Sequence, residues 1–160
     1  MNQAIHQAVD AGDLNLLWNL VIAGEHSPDV LDDNGDAPIH RAIRKGDSVM
    51  LVGLFHVNAN LDARDRRGWN ALHLAAALGR WEMIHLLVAW GLAVDVRTQD
   101  ERGATALHIA AESGNEWCIR ELAAKGASLD ARLTSGETPL ALAFRAKKAS
   151  AARRLGALRV

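Results

Sequence analysis

The chain has 160 residues, 49% of them apolar and 23% charged, with a net charge of −1 at pH 7. That length suits a single domain with a sizeable core, and the composition is that of a globular protein rather than a disordered tail or a fibre. The near-neutral balance lacks the basic excess of a dedicated nucleic-acid binder, so nucleic acid is not the expected partner. The longest apolar stretch, Leu86 to Val94, is about half of what crosses a bilayer. Asp10 and Asp13 stand where a signal peptide needs basic and then apolar residues, so neither insertion nor secretion is expected. The one cysteine, Cys118, cannot form an internal disulfide, which fits a reducing compartment and makes the cytoplasm the expected location.

A period of 33 to 35 residues orders the chain: Gly35, Gly68, Gly103 and Gly136 step by 33, 35 and 33, and His40, His73 and His108 keep the same register. The first unit, residues 1–31, reads as two short helices around Ala8 and Leu20, with Asp13 capping the second and Gly24 ending it. Residues 32–64 begin with the turn Asp32-Asp33-Asn34-Gly35. Ala37, a weak cap, and Pro38 then open a helix through Ala42, and Asp47 caps a second helix that ends at Asn58. Asparagine in place of Gly24, Gly91 and Gly126 signals a left-handed backbone at the helix end, because Asn is the next best residue for that conformation.

Residues 65–99 begin with Asp65-Arg66-Arg67-Gly68, then the cap Asn70; Leu72, Ala75 and Ala76, followed by Met83, Ile84, Leu87 and Val88, show helical spacing. Residues 100–132 repeat the plan from Asp100-Glu101-Arg102-Gly103, with Thr105 and Asn115 as caps. The two extra residues of this step fall between Val94 and Arg102, giving a longer turn expected to project toward a partner; deleting Thr98 and Gln99 is expected to leave stability intact. Residues 133–160 open a helix with Thr138 and Pro139, carry Lys147 in place of the glycine after that first helix, and lack the trailing glycine of the other units. Ala8, Ala42, Ala75, Ala110 and Ala143 hold one position in all units, as close helix stacking demands, and Leu20, Leu54, Leu87, Leu122 and Leu155 supply the facing bulk.

The segments Pro38-Ile39-His40-Arg41-Ala42, Leu72-His73-Leu74-Ala75-Ala76, Thr105-Ala106-Leu107-His108-Ile109-Ala110 and Thr138-Pro139-Leu140-Ala141-Leu142-Ala143 resemble the ankyrin repeat signature Thr-Pro-Leu-His-x-Ala. The resemblance covers the chain. It implies an all-α solenoid of stacked helix pairs with projecting β-turns: one domain, 1–160, with full repeats at 32–64, 65–99 and 100–132 and cap repeats at 1–31 and 133–160. It also implies a concave recognition face made of the turns and the exposed side of each first helix. Carried onto this sequence, that face comprises Asp33, Asn34, Asp36, Arg44, Lys45, Arg66, Arg67, Trp69, Ala77, Leu78, Glu101, Arg102, Ala104, Glu112 and Ser113, and Trp90 is added as a partner-binding residue.

No catalytic residue, cofactor or metal site is read from the sequence. His40, His73 and His108 lie about a repeat apart, each in its own turn, with His6 in the same series and His26, His56 and His85 read as isolated surface residues; no His-x-x-x-His or Cys-x-x-Cys spacing occurs, and no glycine run cradles phosphate. Cys118 stands at a packing position. Residues 1–40 hold seven acids and no Lys or Arg, while 138–160 hold Arg145, Lys147, Lys148, Arg153, Arg154 and Arg159 and no acid. Trp18, Trp69, Trp81, Trp90 and Trp117 fall where the repeat pattern leaves positions partly exposed, with Trp81 the most core-like. Trp69, beside Arg66 and Arg67, is the expected anchor, with Leu78 as the floor of the contact, because Trp with Arg is the composition of interface hot spots. The expected function is non-catalytic protein recognition, as a stoichiometric adaptor or inhibitor, for example one that neutralises a toxin or enzyme, by a chain monomeric on its own. The alternatives are a binder of nucleic acid or phosphate groups through the basic C-terminal repeat, and an enzyme with unrecognised His chemistry.

Overall fold

The computed structural model describes residues 3–24 and 26–158; Arg159, counted above among the basic residues, lies outside them. Ten helices follow one another in pairs: α1 (Gln3–Ala11), α2 (Leu14–Ile22), α3 (Pro38–Lys45), α4 (Ser48–His56), α5 (Ala71–Leu78), α6 (Trp81–Ala89), α7 (Ala106–Ser113), α8 (Glu116–Ala124), α9 (Pro139–Arg145) and α10 (Ala149–Ala157). Among the described residues no strand forms, and the one β-bridge joins Arg97 to Thr105. The fold class is therefore the expected all-α repeat solenoid.

None of these helices exceeds nine residues, too short to persist alone in water, so each is held by the face it buries. Two compact units form, one up to Ala71 and one from Leu72 onward. In the first, α1 packs on α2 and α3, α3 on α4, and α2 on α4; in the second, α7 packs on α8 and α9, α9 on α10, and α8 on both α6 and α10. First helices thus stack on first helices and second on second. The alanine series is what allows it, since Ala8, Ala42, Ala75, Ala110 and Ala143 are all wholly buried. Leu54, Leu87, Leu122 and Leu155 are buried beside them, while Leu20 is only half-buried.

The expected caps divide into three kinds. Asp13 accepts from Leu16 N–H at 2.9 Å and Asp47 from Met50 N–H at 2.8 Å, and Thr138 accepts from Ala141 N–H at 3.3 Å. Asn115 does not cap α8. Its side-chain amide donates instead to the carbonyls of Ala76 and Ala77, at 2.8 and 3.1 Å, which ties α8 to the end of α5. The third kind uses histidine: Nδ1 of His40 accepts from Ala37 N–H at 2.9 Å, and Nδ1 of His108 accepts from Thr105 N–H at 3.2 Å. Because a main-chain N–H can only donate, the ring proton sits on Nε2. From there His40 donates to Ala63 O at 3.0 Å, His73 to Val96 O at 3.0 Å and His108 to Glu137 O at 3.3 Å. Each ring joins the start of its own first helix to the chain entering the next turn, so these histidines are structural. His6, at the same motif position, is buried without a ring partner in good hydrogen-bond geometry, Val30 standing only at the margin.

Candidate functional site

The turn from Asp65 to Trp69 is organised by one carboxylate. Asp65 N–H donates to Trp69 O at 2.8 Å, closing the turn, and Gly68 N–H donates to Asp65 O at 2.9 Å. The Asp65 side chain then accepts from the main-chain N–H of Arg67 and of Trp69, both at 2.9 Å, and from the Arg67 guanidinium at 3.1 and 3.0 Å. Burial works to raise this carboxyl, but the Trp69 N–H, the Arg67 guanidinium and the Arg67 N–H outweigh it and hold Asp65 below the ordinary carboxylate range. It is an anion held in place by the turn.

That anion aims the side chains around it. The Arg67 guanidinium, fixed by Asp65, lies 4.2 Å from the centre of the Trp69 ring, a cation–π geometry. Arg44 of α3 reaches Asp36 at 3.1 Å and comes within 3.9 Å of Asp65. Arg66 donates to the Asp33 carbonyl in the preceding turn. One arginine, Arg67, therefore covers the half-buried indole, and Arg44, Arg66 and Arg67 are all exposed. The Arg67 stack gives the Trp69 ring an intramolecular contact within its own turn.

The other expected residues are placed as follows. Asp33 and Asn34 are exposed on the turn before α3. Lys45 is also exposed and donates to the carbonyls of Val9 and Asp10. Asp36 and Ala104 are buried, which corrects their assignment to a contact surface: Asp36 serves as the Arg44 partner and Ala104 closes its turn. In the second unit, Leu78 is 44% exposed on α5, Ala77 is half-buried and Ser113 is exposed. Glu101 is exposed at the tip of the long turn, and Arg102 pairs with Glu112 at 2.8 Å. Trp90 follows the last residue of α6 and so belongs neither to a turn tip nor to a first helix.

The long turn keeps the plan of its neighbours with two residues added. Thr98 occupies the place of Asp65: its N–H donates to Ala104 O at 2.8 Å, and its hydroxyl accepts from Ala104 N–H at 2.8 Å. Thr98 is buried and Gln99 to Glu101 are exposed. The tip is exposed as expected, but deleting Thr98 would remove the turn's base, so the expectation of unchanged stability is corrected.

The tryptophans also sort differently from the sequence reading. Trp69 and Trp90 are half-buried, while Trp18, Trp81 and Trp117 are 38%, 39% and 62% exposed; Trp81 is not the most core-like. Its ring lies 6.3 Å from that of Trp117 between centres, on a surface depression rather than in the core. Cys118 is wholly buried, and burial pushes its thiol up to about 12, so no thiolate is populated at neutral pH. Among the described residues no three His, Cys, Asp or Glu side chains gather to hold a metal ion, and no helix is long and apolar enough to cross a membrane.

Paired short helices stacked like with like, histidines tying successive turns, and exposed turn tips define a repeat solenoid of the kind that works through its surface. The family model for ankyrin repeats (three copies) matches residues 5–100 and again 89–157. The chain belongs to the ankyrin repeat family, whose repeats generally act as protein–protein interaction modules. It is 38% identical over 84 residues to protein phosphatase 1 regulatory subunit 27 of Mus musculus, covering 52% of this chain and 54% of that protein. It is 35% identical over 82 residues to calmodulin-binding transcription activator 3 of Arabidopsis thaliana, 51% of this chain and 8% of the other. With SH3 and multiple ankyrin repeat domains protein 2 of Homo sapiens it shares 33% over 89 residues, 55% of this chain and 5% of the other. The aligned part is thus about half of this chain, and at most 54% of these relatives.

Proposed function

We propose that this chain is a stoichiometric protein-binding module, an adaptor or inhibitor in a cytoplasmic setting, which recognises its partner through the turn carrying Trp69. The observation that carries the reading is the indole of Trp69 stacked under Arg67 on a turn fixed by Asp65. An aromatic residue on a turn fixed by a carboxylate, with Arg67 held on its ring and Arg66 and Arg44 exposed nearby, the one in sequence and the other through Asp65, combines residue types that dominate binding energy at interfaces. Asp33 and Asn34 extend the same surface in the first unit. Leu78, Glu101, Arg102 and Glu112 are candidate contacts of the second, and Trp90 and the neutralised Asp36 drop out. The five helix pairs are taken as five repeats with the boundaries 1–31, 32–64, 65–99, 100–132 and 133–160. A regulator's role is favoured by the likeness to a chain named a phosphatase regulatory subunit. Inertness of the buried Cys118 and engagement of His40, His73 and His108 in turn-to-turn bonds leave these groups to structure rather than to chemistry.

The test is affinity capture from native lysate with the wild-type chain and Trp69→Ala on matched resin, read by quantitative mass spectrometry. A protein retained stoichiometrically by the former and lost from the latter supports the proposal. A partner set identical for both chains contradicts it.

A further inference from the structure

The last helix pair presents a second surface, independent of the Trp69 turn. Phe144 on α9 is 67% exposed, whereas Ala111, Ala76 and Ile43, one, two and three repeats earlier, are wholly buried. Beside it Ala152 of α10 stands where Leu51, Ile84 and Ile119 stand in the other units. A large ring beside a truncated neighbour leaves a shallow hollow of about 390 Å³, floored by Ala143, Ala149 and Ala152.

At the ends of α5 and α7 the following unit presses a side chain onto a glycine: a Cβ at Gly79 would lie 3.3 Å from Asn115, and one at Gly114 would lie 2.9 Å from Lys148. The equivalent residue of α9 is Lys147, held at φ 56°, so the last first helix ends on a cation at the hollow rather than on a glycine.

The charge around the hollow is of one sign. Between residues 138 and 158 there are five cations and no acid. Arg145 is neutralised by Glu137 at 2.7 Å and Arg154 lies 3.7 Å from Glu116. The remaining three, Lys147, Lys148 and Arg153, have no carboxylate within ion-pair distance among the described residues, and all three line the hollow. An exposed ring over an alanine floor calls for an apolar side chain, and the cationic rim calls for carboxylates around it. We infer that the α9–α10 hollow binds an acidic amphipathic segment of another protein, one apolar side chain seated against Phe144 and its flanking carboxylates paired with Lys147, Lys148 and Arg153. A nucleic acid meets the rim but leaves the alanine floor unused.

Fluorescence anisotropy tests this with the full chain and three labelled probes: a short peptide of glutamates carrying leucines at helical three and four spacing, a polyglutamate of equal length, and an oligothymidylate of equal charge. The amphipathic peptide should bind at least about tenfold more tightly than either other probe. Phe144→Ser and the pair Lys147→Glu/Arg153→Glu should each weaken it about tenfold or more, with thermal unfolding of these exposed-site variants close to wild type. Tighter binding of the oligothymidylate, unchanged peptide affinity in either variant, or no binding of the peptide to the wild-type chain would each overturn the inference.

Discussion

At single residues, conformation and protonation leave measurable traces. Burial lowers His40 and His108 below their ordinary value of 6.5, and His6 likewise. The unfolded chain takes up these protons as pH falls through 6.5, while the folded chain takes them up only further down. Their contribution to stability is therefore complete above that value and is lost as pH drops below it. Denaturant midpoints should fall between about pH 7 and 5, and the slope should shrink in His108→Gln; a midpoint unaffected over that range would contradict the buried, neutral rings. Lys147 gives the second trace. Its left-handed backbone costs about 1–2 kcal/mol, against about 0.4–1 kcal/mol for the extra freedom of an unfolded glycine. Lys147→Gly should thus stabilise the chain by about 0.5–1 kcal/mol in chemical denaturation, and a loss of stability would show that its side chain has a packing role.

At the level of elements, the helix pairs depend on the bonds at their ends, since the helices are too short to stand alone. Asn115→Ala removes the tie from α8 to the Ala76 and Ala77 carbonyls and should cost about 1–3 kcal/mol; a loss confined to a few tenths would mean that water replaces the amide. The long turn makes a sharper case. Deleting Thr98 and Gln99 restores the regular spacing but removes the hydroxyl and N–H that bond Ala104, so the melting temperature should fall. If the deletion melts with the wild type, Thr98 is not the turn's base. The sequence displayed the elements well because alanine, histidine and glycine recur at fixed steps, each with a steric or hydrogen-bonding reason. It concealed which end of the long turn carries the extra residues, because Thr98 does with a hydroxyl what Asp32 and Asp65 do with a carboxylate. Asn115 looked like a cap because asparagine caps helices; its true acceptors lie 38 and 39 residues away, beyond any local rule.

For the whole molecule, class and site were legible to different degrees. Period and motif define the solenoid and its family without reference to coordinates, whereas the candidate surface depends on which side chain neutralises which. Asp36 reads as an exposed turn acid until Arg44 covers it, and Trp69 reads as unsupported until Asp65 aims Arg67 onto its ring. Tryptophan exposure escapes the sequence for the same reason, since it is set by neighbours a full repeat away, as with Trp81 and Trp117. The central claim is that the Trp69 turn binds a protein, and titration calorimetry of the captured partner, alongside chemical denaturation of the same preparations, tests it most directly. Trp69→Ala should weaken binding by about 2 kcal/mol or more, roughly thirtyfold, while the loss of its half-buried contact with Arg67 changes folding stability by about 1 kcal/mol or less. A variant that binds as the wild type does, yet unfolds markedly earlier, would show that Trp69 is packing and that the recognition surface lies elsewhere.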